Sequence, residues 1–262
     1  LFNNNASNNT AVGYQAGYRN TSGANITAVG YQAGYANTSG DIVALGYRAL
    51  YNNTTGTYNI AIGATSLYNN SAGLNNVAIG TGSLLQNQGS NNTAVGHQSL
   101  YGNSSTSANS AMGYQALYNN LANNNTAVGY QAGFSNTSGD SITAIGYQAL
   151  RANTTGPKST AIGFLSLSSN TTGGYHAALG YYSLQNNTTG NSNTAVGYYS
   201  LQANTIGDRN TAIGYAALVG NSSGGSNVAV GYDALNNNTA SNNTAVGYQA
   251  GISNTSAGVT AI

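Results

Sequence analysis

TAVGYQAG at residues 10–17 and again at 27–34, then NVAIG at 76–80: one phrase returns every 16 or 17 residues along this chain. Its glycine falls at Gly13, Gly30, Gly46, Gly63, Gly80, Gly96, Gly113, Gly129, Gly146, Gly163, Gly180, Gly197, Gly214, Gly231 and Gly247, and a sixteenth copy, Thr260-Ala261-Ile262, stops just before it. A short fixed period marks a stacked architecture whose units bury their apolar faces only against their neighbours. Residues 1–262 therefore read as a single repeat array of about sixteen coils.

The positions around the glycine suggest what one coil is. Two residues before it every copy has alanine, and one before it every copy has an aliphatic such as Val12, Leu45, Ile62 or Met112. Thr is commonest three before, and Tyr commonest one after. Strand side chains alternate faces, so Thr, Val/Ile and Tyr share one face and Ala and Gly the other. Nothing larger than alanine enters that second face, which predicts close packing on another backbone, from the opposite wall or another chain. β-Branched and aromatic residues suit strands. Repeated glycines disfavour a helix, at about 1 kcal/mol each relative to alanine.

The second half of the repeat is turn chemistry. Seven residues after the glycine stands an asparagine in all complete copies: Asn20, Asn37, Asn53, Asn70, Asn87, Asn103, Asn120, Asn136, Asn153, Asn170, Asn187, Asn204, Asn221, Asn238 and Asn254. A glycine commonly follows three residues on, and such Asn/Gly pairs supply left-handed backbone. One or two short strands and a polar turn per coil, paired in parallel, give an all-β parallel β-solenoid. At about 4.8 Å per strand, sixteen coils predict a rod on the order of 75 Å long.

Composition narrows the function classes. Charged residues are 3% of the chain and the net charge is +1, against roughly 25% charged in ordinary domains. No basic footprint for nucleic acid or an anionic membrane results, and no apolar run approaches the roughly 20 residues of a membrane span. Without cysteine there is no disulfide framework. The match of 1–17 to 235–251 and the close at Ile262 within the phrase lead us to expect a segment of a longer fibrous protein.

Several rows invite functional readings. Many ladder asparagines lie in Asn-x-Ser/Thr sequons, so the row reads either as a stack of hydrogen-bonded amides or as a glycosylated fibre. Asn87, Asn120, Asn204 and Asn238 keep the asparagine without the sequon, which favours the stack. Tyrosines form two broken rows, one after the glycine and one four residues further on; Tyr18, Tyr35, Tyr51, Tyr68, Tyr101 and Tyr118 of the latter are the candidate surface contacts. Aromatic rows beside amides could stack on sugars, though tyrosines at structural spacing commonly pack their bodies and wet their hydroxyls. A threonine row, broken at Val43, Ile60, Val77 and Val228, resembles the hydroxyl rows of ice-binding solenoids. His97 and His176 have no partner at ligand spacing, and no nucleophile–base set is present, so we expect no catalytic residue, metal or cofactor.

NNVAIG (75–80), NNTAVGYQAG (242–251) and SNTAVGYYSL (192–201) resemble the head repeats of YadA-type trimeric autotransporter adhesins and similar repeats of phage tail fibres. The resemblance implies a left-handed β-roll, three chains side by side, and attachment from a cell surface or virion. The expectation is a non-catalytic extracellular fibre segment partnered by itself, as homotrimer or end-to-end filament. A self-assembling filament and a module binding surface glycans are the alternatives.

Overall fold

The computed structural model describes residues 4–262; Leu1 lies outside them. The chain divides into two compact units, Leu1–Asn125 and Thr126–Ile262. The first holds seven strands: β1 (Thr10–Val12), β2 (Ile26–Val29), β3 (Ile42–Leu45), β4 (Asn59–Ile62), β5 (Val77–Ile79), β6 (Thr93–Val95) and β7 (Ser110–Met112). In the second are β8 (Thr126–Val128), β9 (Thr143–Ile145), β10 (Thr160–Ile162), β11 (Ala177–Leu179), β12 (Thr194–Val196), β13 (Thr211–Ile213), β14 (Val228–Val230), β15 (Thr244–Val246) and β16 (Thr260–Ala261). Within each unit successive strands pair in parallel without offset, as in Ala11↔Ala28 and Ala161↔Ala178. Each unit is a parallel β-solenoid with one strand per coil, and the described residues contain no helix.

Each strand stops at the motif glycine because only glycine can stand there. Its φ is +126° to +139°, closed to L side chains. A Cβ on Gly163 would lie 2.3 Å from the carbonyl oxygen of Gly180 in the next coil. The glycine column therefore packs on the backbone of the next coil, not on an opposite wall. The alanine column does face the opposite wall. Ala28, Ala44 and Ala94 are wholly buried, and a Cβ on Gly34, four residues after its motif glycine, would meet the Ala28 and Ala44 methyls at 3.7 and 3.9 Å.

That opposite wall is leucine with a left-handed backbone. Leu50, Leu67, Leu100 and Leu150 have φ near +50° and no exposed surface. The conformation costs about 1–2 kcal/mol. Burying a leucine returns about 1.5–3 kcal/mol, so burial wins.

Where the wall residue is glycine, at Gly17, Gly34, Gly133 and Gly251, the next strand opens with Ile26 or Ile42 or is immediately preceded by Ile142 or Val259. Where it is leucine, the same place holds a polar residue, usually asparagine. The Ile42 Cδ1 sits 3.4 Å from where a Gly34 Cβ would be. Neighbouring positions thus exchange volume, keeping the interior filled.

Candidate interaction surface

The asparagine row seven after the glycine lies inside from Asn20 to Asn238, and Asn254 is half-buried. Asn20, Asn53, Asn87, Asn153 and Asn204 are wholly buried. In the first unit Asn70 Nδ2 donates to Asn53 Oδ1 at 2.9 Å and to Gly73 O at 3.0 Å. In the second Asn170 donates to Asn153 Oδ1 and Gly173 O, both at 2.8 Å. Both amide hydrogens of such a rung are used, so no sugar could be attached to one in the folded coil.

Turn geometry follows coil length rather than the sequon. Asn37, Asn87, Asn120, Asn238 and Asn254 precede 16-residue intervals and bond the carbonyl two residues on. Asn20 and Asn204, before 17-residue intervals, bond the carbonyl three residues on. The shorter coil has dropped one turn residue. Asn221 Oδ1, followed by the short turn at Asn238, is the one buried polar side-chain atom without a hydrogen-bond partner among the described residues.

A second buried row, four before the glycine, was not recognised in the sequence. Asn76, Asn92 and Asn109 in the first unit and Asn193, Asn210 and Asn227 in the second belong to it. Each Oδ1 accepts the backbone N–H of the next rung, as Asn76 does from Asn92 at 3.0 Å. Nδ2 reaches a turn carbonyl in five of the six, as Asn76 does at Gly89 O, 2.9 Å, while Asn109 Nδ2 donates to Asn103 Oδ1 and Thr106 Oγ1, both at 3.3 Å. The fixed spacing of asparagine with isoleucine exceptions after each wall glycine was the available signal.

His176 occupies this row. Its Nδ1 accepts from Asn193 N at 3.2 Å and its Nε2 lies 3.3 Å from Asn187 Nδ2. Burial pushes its pKa down to about 4, against smaller raising effects from its backbone hydrogen bonds with Gly190 and Asn193. The imidazole is a neutral rung. His97, by contrast, stacks on Tyr114 at the surface. Among the described residues no three His, Cys, Asp or Glu side chains come together.

What faces outward is apolar. Most aliphatics one before the glycine stand at the surface, such as Ile62 at 36% exposed and Val12 at 57%, while Leu45, Val95, Ile145, Val196 and Val230 are half-buried. Beside them in sequence stack the aromatics one after it. In the second unit this row is unbroken from Tyr130 through Tyr147, Phe164, Tyr181, Tyr198, Tyr215 and Tyr232 to Tyr248, with centroids 4.9–5.4 Å apart. Tyr182 and Tyr199 pack edge-on at 4.3 Å from Tyr181 and Tyr198. Hydrogen bonding to Tyr199 raises the Tyr198 phenol to about 12, keeping it protonated.

The first unit has the row at Tyr14, Tyr31 and Tyr47, loses it at Ala64 and Thr81, and resumes at His97 and Tyr114. Its other row, the predicted contact set, stacks from Tyr18 through Tyr35 and Tyr51 to Tyr68, and again at Tyr101 and Tyr118. Of these rings only Tyr18 is exposed; the rest are half-buried. The row one after the glycine is the more accessible one. Arg48 lies between the two rows, its guanidinium carbon 5.2 Å from the Tyr47 centroid and 5.3 Å from Tyr51.

Compared with protein-family models, curated proteins and solved structures, the chain matches none.

Proposed function

We propose that this chain is a non-catalytic fibre segment of an extracellular or virion appendage, which associates laterally with copies of itself and presents a repetitive attachment surface. The observation that carries the reading is the exposed ribbon of aliphatic and aromatic columns, on which no charged residue stands. Contiguous exposed apolar surface marks an interaction site, and each aliphatic, already about half covered within its own coil, contributes on the order of 1 kcal/mol when a partner covers the rest. Repetition lets modest contacts add up through many coils. The homotrimer implied by the resemblance to YadA-type head repeats is the assembly we favour.

Stacked rings cover one another's faces and leave mainly edges to solvent. Sugars stack on ring faces, so the ribbon favours protein contact over a glycan platform. Sedimentation velocity tests the assembly: the chain should sediment as a discrete oligomer, and Ile162→Asp with Leu179→Asp should shift it to monomer with the fold retained. A monomeric parent sinks the lateral contact. Truncation by whole coils should weaken retention on a target cell surface progressively, whereas loss of all binding from one local substitution would indicate a discrete site instead.

A further inference from the structure

Twice the corner five residues before the motif glycine carries a charged side chain followed, one coil on, by tyrosine. Asp41 precedes Tyr58 in the first unit, and Lys158 precedes Tyr175 in the second. All four share left-handed backbone, with φ of +56°, +58°, +51° and +64°. In the second unit the Lys158 ammonium lies over the Tyr175 ring, its Nζ 5.6 Å from the centroid. A cation over an aromatic face is attracted by the ring quadrupole. In the first unit the same step holds a carboxylate, and among the described residues no ring or cation packs on Tyr58, which is 63% exposed.

An open pocket of roughly 290 Å³ lies here, lined by Asp41, Tyr58, Val43, Ile60, Ile42 and Asn25 among others. Asp41 Oδ1 accepts from Asn25 Nδ2 at 2.9 Å, and no cation pairs with the carboxylate among the described residues. Val43 and Ile60 stand where most coils have threonine, so the side of the pocket is aliphatic. Carboxylate, free aromatic face and apolar wall are the three parts that recognise an ammonium on a short alkyl chain.

We propose that this pocket binds an alkylammonium, the chemistry of a partner's lysine side chain. The ammonium sits over the Tyr58 ring and against the Asp41 carboxylate, with its methylenes on Val43 and Ile60. Lys158 over Tyr175 is the same arrangement satisfied from within the chain.

The test uses the full chain with its tyrosines isotope-labelled and Nα-acetyl-lysine N-methylamide as the probe, read by NMR. Tyr58 ring resonances should shift saturably while those of Tyr175 stay. Asp41→Asn keeps an acceptor for Asn25, as Asn91 supplies for Asn75 at the same corner, and should weaken binding about threefold or more. Asp41→Lys should place its own ammonium over Tyr58 and abolish probe binding. The Nζ-acetylated probe should not bind. Absence of a saturable shift, equal affinity in Asp41→Asn, or equal affinity for the acetylated probe would each overturn the proposal.

Discussion

The two units share an interior and differ outside. Both stack alanine, motif glycine and buried asparagine in register. In the first, the tyrosine row five after the glycine runs from Tyr18 to Tyr118 with one break at Leu85, while the row one after it fails at Ala64 and Thr81. In the second, the latter row is continuous, and the former gives way after Phe134 to Arg151, Ser168, Gln185, Gln202, Val219, Asn236 and Ile252. Inner positions are fixed by the approach of one coil's backbone to the next, which admits one residue type or one volume. Outer positions meet only their own column, so they can change as a block.

The largest effect should be indifferent to the unit. Gly30→Ala and Gly163→Ala each place a Cβ within 2.5 Å of the next coil's carbonyl oxygen at strongly positive φ. Strain and overpacking together should cost at least about 3 kcal/mol. Hydrogen exchange should lose protection in the coils flanking each site to the same extent in both units. Mild loss in one unit alone would mean that the interiors are not equivalent.

Acid should separate the units. His176 has its pKa lowered in the fold, to about 4 from 6.5, so the unfolded chain takes up the proton first. Stability from this residue is complete above pH 6.5, declines as pH falls, and is lost by about pH 4, a change of about 3 kcal/mol. Protection should fall with pH around His176 in the second unit, and His176→Asn should remove the dependence. The first unit has no buried histidine, so its protection should not change over the same window.

A smaller effect sharpens the shared interior by swapping its two fillings. Gly34→Leu should overpack against Ile42 at about 1–3 kcal/mol. Ile42→Asn alone should leave a cavity and destabilise similarly or more. The double substitution recreates the leucine–asparagine pairing of the other coils and should recover at least about 1 kcal/mol of coupling. Additive losses in the denaturation midpoints would show that the two positions do not share one space.

The solenoid, its register and the buried Asn20-to-Asn238 row were legible because copy after copy reports the same constraint. Less legible was the sign of φ at Leu50 or Gln15, since leucine and glutamine carry no turn signature; burial and coil closure impose it. The exchange of Gly34 with Ile42 was written in the sequence, but nine residues separate Gly17 from Ile26, so the pair looks unrelated until the coil closes. Surface roles were least legible. Tyr51 and Tyr47 look alike as letters, and only their position relative to the turn decides which ring is half-buried.

The buried asparagine row also bears on where such a chain can be made. Asn53, Asn103, Asn153 and Asn187 sit in Asn-x-Ser/Thr sequences and have no exposed surface. N-linked sugars are bulky surface groups, and their transfer acts on chain that is still extended. A glycan placed there would occupy the space of the next rung and keep the coil from closing. The ladder that locks each turn therefore ties folding to a biosynthetic route in which those asparagines are left bare.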